Sequence, residues 1–292
     1  MTLLPAHGAY GHGAHSHGHG HDGGSSELLA LLPVAAVVLL AACYLLLWRR
    51  ARHRNLARAP GGARAALFVT GCALLAAALS GPLHAFAERD FRGHMLQHLL
   101  IGMYAPLALV LGAPITVLLL ALPAARARRL TRLLRSHPAH ALTRPWVALL
   151  LSTGSLGALY FTPLYRATTT HSALHTLLHL HFLAAGCLFA WVIAGPDPTP
   201  DRPSVPARLI VLGVAIAAHA ITSQLLYAGF LIGVHAPITQ IRGGAELMYY
   251  GGDIAELLLA VALVTSRRPP PATRPAIRVA DDRTRYGSAW RS

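Results

Sequence analysis

The stretch from Leu28 to Trp48, LLALLPVAAVVLLAACYLLLW, carries no charge and runs straight into Arg49-Arg50-Ala51-Arg52-His53-Arg54. A helix needs roughly 20 apolar residues to cross a hydrocarbon core of about 30 Å, and this stretch has that length. Its basic cluster follows the apolar run, the reverse of a cleaved leader, so it reads as a permanent span. The pattern recurs along the chain. Apolar stretches at about 27–48, 65–83, 94–122, 145–163, 174–195, 207–231 and 246–265 predict an all-α, polytopic membrane protein of about seven transmembrane helices. The third is too long for one perpendicular span, and Pro106 with Leu111-Gly112-Ala113-Pro114 predicts a kink or break there.

Composition agrees. Of 292 residues, 54% are hydrophobic and 12% charged, with a mean hydropathy of +0.48. Soluble domains carry about 25% charged residues, so an ordinary soluble enzyme and a disordered chain are both excluded. All 25 basic residues are arginines, against 11 acidic ones, for a net charge of +14. Such a balance is a nucleic-acid signal only if the charge forms a binding face. Here 21 of the 25 arginines follow spans 1, 3, 5 and 7, and only Arg89, Arg92, Arg166 and Arg242 fall on the other side. The charge therefore reads as topology, with no nucleic-acid partner. Arginines mark cytoplasmic connections, which puts the N-terminus outside and the C-terminus in the cytoplasm of a bacterial plasma-membrane protein. Cys43, Cys72 and Cys187 stand singly in apolar stretches and form no disulfide framework. Residues 1–26, rich in Gly and His, predict a disordered extracytoplasmic tail. Residues 27–266 form the membrane domain, and the Arg/Pro-rich residues 267–292 predict a disordered cytoplasmic tail.

Histidine is the unusual residue, at 18. Six lie in the N-terminal tail, where alternation with small residues leaves the imidazoles free for weak metal capture. His53, His137 and His140 sit among arginines. The remaining nine are His84, His94, His98, His171, His175, His179, His181, His219 and His235. On this topology all but His219 fall at or near the outer face. His94 and His98 are four apart, as are His171, His175 and His179, so each set shares a helix face able to ligate one metal. His181 points the opposite way. His84 and His235 each stand alone near a loop. Imidazole suits copper, zinc, iron and nickel. Met95 and Met103 on span 3 and Met248 on span 7 add thioethers, which favour cuprous copper but also serve as gap-fillers. Polar groups at depth are costly and tend to be functional or internally paired. Asp253 and Glu256 on span 7, three residues apart, either pair with His219 or form an ion relay with it; Gln224 belongs to the same class.

The stretch His94-Met95-Leu96-Gln97-His98-Leu99-Leu100, continuing through Ala105-Pro106 and Leu111-Gly112-Ala113-Pro114, resembles the HMxQHxLL motif of the CtaG family, the assembly factors of caa3-type cytochrome c oxidase. His175-Thr176-Leu177-Leu178-His179 through Gly195-Pro196-Asp197-Pro198 is similar to that family's HxxxH helix. Thr239-Gln240 with Gly243-Gly244 and Met248 resembles its DQ…GG…M stretch, with Thr239 where the family pattern has Asp. The likeness covers roughly residues 82–265.

The resemblance implies a non-enzymatic factor that matures haem–copper oxidase by supporting copper delivery, with cytochrome c oxidase subunits, copper ions and the bilayer as partners. His94, His98, His171, His175 and His179 are then the expected copper ligands. Met95, His84, His219, Asp253 and Glu256 form a second rank. Imidazole must shed its ligating proton, so binding should weaken as pH falls through about 6.5. Three other readings use the same residues. These are a copper transporter of the CopD type, a haem-binding membrane protein with axial histidines, and a membrane di-iron enzyme, whose histidine boxes face the cytoplasm.

Overall fold

The structure, a computed structural model, describes residues 23–265 apart from 201, 231, 232 and 235. The His-rich run before Gly23, the C-terminal tail from residue 266 and His235 lie outside the described residues. The first helix, α1 (Gly23–Arg54), starts inside the segment expected as tail.

Every regular element among the described residues is helical. Lipid offers backbone groups no hydrogen-bond partners, so apolar segments close their bonds within themselves. Six helical segments are long and apolar enough to cross a membrane: Leu31–Arg54, Gly62–Leu79, Phe91–Leu111, Ala173–Ala194, Val205–Ala228 and Ile238–Thr265. The expected fourth span corresponds to a shorter apolar segment, Pro145–Phe161. It comprises α9 (Pro145–Leu149), a π-helical turn (Leu150–Gly154) and α10 (Ser155–Phe161). The π turn loosens the backbone ladder, and the imidazole of His181 takes up the Leu151 carbonyl at 3.2 Å.

Span 3 breaks where Gly112-Ala113-Pro114 predicted. It runs as α4 (Phe91–Leu99), a second π turn (Leu100–Tyr104) and α5 (Ala105–Leu111), then resumes as α6 (Pro114–Ala121). Pro106 has no N–H, so the Gly102 carbonyl cannot receive the usual helical bond. Ala113 takes a left-handed φ of 55°, because the following proline disfavours the right-handed helical conformation. Such strain persists only when its surroundings hold it. The Tyr44 hydroxyl donates to the Gly112 carbonyl at 2.7 Å. Asp197 accepts from the Ile115 amide (3.0 Å), the Thr116 amide (2.8 Å) and the Thr116 hydroxyl (2.6 Å), capping α6. Burial pushes the Asp197 carboxyl up, against the pull of those donors. Arg54 donates to the carbonyls of Ala121 and Leu122 at the far end of α6.

Three close approaches bring the histidine-bearing helices together. Gly186, on α12 (Ser172–Ala194), lies directly on the Gly102 carbonyl, where a Cβ has no room. Gly243 and Gly244, on α14 (Ile238–Thr265), sit against the Arg92 and Phe91 side chains, with a Cβ at 2.8 and 2.6 Å from their nearest atoms. Gly252 gives its space to the His219 imidazole of α13 (Val205–Ala228). The glycine pair of the third sequence block therefore serves close packing of α14 on α4.

Candidate functional site

Helix α4 starts at Asp90, whose carboxylate accepts from the Arg92 amide (2.9 Å) and from the Arg92 guanidinium. That guanidinium holds the Asp90 carboxyl below the usual carboxylate range. The cap fixes the start of the turn carrying His94, Met95 and His98, all buried. Gln97, between them, donates to the Ala78 carbonyl at 2.8 Å, in the last turn of α2 (Gly62–Leu79), and so ties the motif helix to its neighbour.

Facing α4 across the Gly102–Gly186 contact, α12 presents His175 and His179, their rings 4.3 Å apart and half-buried. His84, on α3 (Gly81–Arg89), adds a ring 6.2 Å from His175 and pairs with Glu88 at 3.4 Å. His98 packs its ring against Phe182, which sets α4 alongside α12. His84, His175 and His179 thus lie side by side, with His94 and His98 on the adjoining α4, a histidine cluster spread over α3, α4 and α12.

His171 is placed differently. It was expected to share a face with His175 and His179, but α12 begins at Ser172 and His171 is its N-cap, with extended backbone (φ −128°, ψ 106°). Its imidazole turns back to the Thr170 hydroxyl (2.8 Å) and the Ala167 carbonyl (3.2 Å). The helical periodicity simply does not reach residue 171.

Tyr160 joins the cluster unpredicted. Its fully buried hydroxyl lies 3.4 Å from His94 Nε2 and 3.5 Å from Met95 Sδ, between two soft donors. Tyr165, on α11 (Leu164–Thr170), packs edge-on to His94 at 5.2 Å, and Phe182 edge-on to His98 at 4.5 Å. Among the described residues, no three of His, Cys, Asp and Glu stand close enough to surround one metal ion. The donors come in pairs instead, His175 with His179 and His94 with Met95. Imidazole and thioether together fit cuprous copper by type.

His98 also lines a second space. A cavity of about 70 Å³ is bounded by His98, Met103, Ser152, Thr153, His219 and Glu256. The expected pairing of His219 with the acids of span 7 takes another form: its Nε2 donates to the Met248 carbonyl at 3.1 Å. Glu256, 4% exposed, has one carboxylate oxygen without a hydrogen-bond partner among the described residues. Asp253 is half-buried on the preceding turn.

A multi-pass helical membrane protein with a cluster of histidines on adjoining helices is the class that fold and site define. The chain belongs to the cytochrome c oxidase caa3 assembly factor family, whose sequence model matches residues 42–268. That membership, with the six long apolar helices, makes it a multi-pass protein of the bacterial plasma membrane. It is similar to uncharacterized proteins of Mycobacterium bovis and Mycobacterium tuberculosis, each 31% identical over 250 residues, covering 79% of this chain and 38% of theirs. An uncharacterized protein of Mycobacterium leprae is 34% identical over 164 residues, covering 54% of this chain and 25% of its own. The chain thus matches well under half the length of these relatives. No solved structure matches it.

Proposed function

We propose that this protein is a non-enzymatic assembly factor that receives copper at its histidine-bearing face and passes it to cytochrome c oxidase subunits during maturation. The observation that carries this reading is that His94 and His98 on α4 and His175 and His179 on α12 belong to two spans that pack directly, through Gly102 and Gly186 and through His98 and Phe182. The arginine distribution supports an outward position for those histidines.

Deleting the gene tests the role. Oxidase activity and membrane copper content should both fall, with oxidase subunits still synthesised. Normal oxidase in a strain lacking any paralogue would refute the assembly function.

Tyr160 offers a finer test. Its hydroxyl bonds to His94 and Met95 and competes with a metal for both donors. A neutral hydrogen bond contributes about 1 kcal/mol, so Tyr160→Phe should tighten cuprous binding about fivefold, measured by competition with a chelator. Weaker binding would mean that the hydroxyl positions the donors rather than competing for them.

A further inference from the structure

At the end of the spans opposite His94 and His175, a pocket of about 390 Å³ is lined by Arg135, His137, His140, Thr143, Arg144 and Arg202. Three separate segments supply its arginines: the end of α7 (Ala124–Leu134), the turn between α8 (His137–Leu142) and α9, and the loop after α12. No carboxylate lines it among the described residues. Arg202 is held in place by donating to the backbone carbonyls of Gly195 and Asp197. His140 keeps one ring nitrogen on the Ser136 carbonyl at 2.9 Å. Three arginines lining one concavity supply a charge that an anion would neutralise, and the planar guanidinium fork matches phosphate oxygens.

The neighbouring helix says where that anion comes from. On α7, Arg128, Arg129 and Arg132 share one face, while Ala127, Leu130 and Leu134 lie on the other. Ala127, Leu130 and Leu134 are half-buried, while the arginines and Leu133, at the edge between the two faces, are exposed, Leu133 by 66%. A helix at the end of the membrane spans that exposes its basic face lies in reach of the headgroup layer. Trp146, 57% exposed at the start of the short span, sits where interfacial aromatics anchor membrane helices. The pocket therefore opens at headgroup depth.

We infer that this pocket binds the phosphate of an anionic phospholipid headgroup. Binding there clamps the α7–α9 connection to the loop that carries Asp197, the residue capping α6. The source of the phosphate is the membrane, because the pocket and the amphipathic helix beside it share one interface.

The test uses the full-length protein in detergent, with short-chain phosphatidylglycerol as the probe and native mass spectrometry as the readout. Arg135→Gln with Arg144→Gln removes two exposed guanidiniums without touching Arg202. Affinity should fall about thirtyfold, and Arg135→Lys with Arg144→Lys should recover most of it. Arg128→Gln with Arg132→Gln, the same charge change outside the pocket, should cost far less. Equal losses from the two Gln pairs would reduce the effect to diffuse surface charge and overturn the site. So would unchanged binding by the pocket variant. Inorganic phosphate at equal concentration should leave the lipid bound. Full displacement by inorganic phosphate would overturn the lipid assignment.

Discussion

A strain whose only copy carries His94→Ala, His98→Ala, His175→Ala and His179→Ala should show cytochrome c oxidase activity as low as a deletion strain, with the protein still present in the membrane. Loss of a group that merely supports a metal ligand costs 10- to 100-fold in affinity. Removing both donor pairs should therefore weaken copper binding by at least about 100-fold. Folding is the competing explanation, because His94 and His98 are buried. The His175→Ala and His179→Ala pair separates the two. These rings are half-buried at the edge of the cluster, so their loss should lower oxidase activity several-fold while leaving the melting temperature almost unchanged. Full activity in both strains would remove the cluster from the assembly role.

Gly186→Val should have the largest structural effect. The Gly186 backbone lies on the Gly102 carbonyl, and Pro106 closes the same contact from the next turn, its ring 2.9 Å from the position of a Cβ. Overpacking a core typically costs 1–3 kcal/mol where side chains can move aside. Here the obstacle is backbone, so the loss should reach at least about 3 kcal/mol. A large drop in melting temperature in detergent, or failure to accumulate in membranes, is the expected outcome. The same substitution pushes α12 away from the π turn that follows α4, so any surviving protein should hold copper poorly. A valine variant of normal stability would show that these helices do not meet there.

The all-helical, multi-pass architecture was legible because lipid imposes a strong constraint: each span must be apolar for nearly its whole length. The break at Gly112-Ala113-Pro114 was legible for a local reason, since proline restricts the residue before it. Shortening of the fourth span was not, because a π turn such as Leu150–Gly154 leaves no mark in composition or periodicity.

The site was legible in part for the same kind of reason. His94 with His98, and His175 with His179, stand four apart inside helices, where the spacing settles the shared face. His171 has the same spacing but lies outside the helix, so the inference failed with the periodicity it assumed. His181 was set apart by its phase on the helix, and it serves the Leu151 carbonyl. Tyr160, Gln97 and Asp197 had no signal of their own. Their partners are 66, 19 and about 81 residues away along the chain, and only the packing of separate spans brings those groups together.

Copper stoichiometry is the most direct test of the cluster. The full chain is purified with its six N-terminal histidines, His7, His12, His15, His17, His19 and His21, changed to Ser, then loaded with cuprous ion and passed over a chelating column. The cluster should retain about one copper per chain, and the further change of His94, His98, His175 and His179 to Ala should abolish retention. Equal copper in the two proteins would contradict the account.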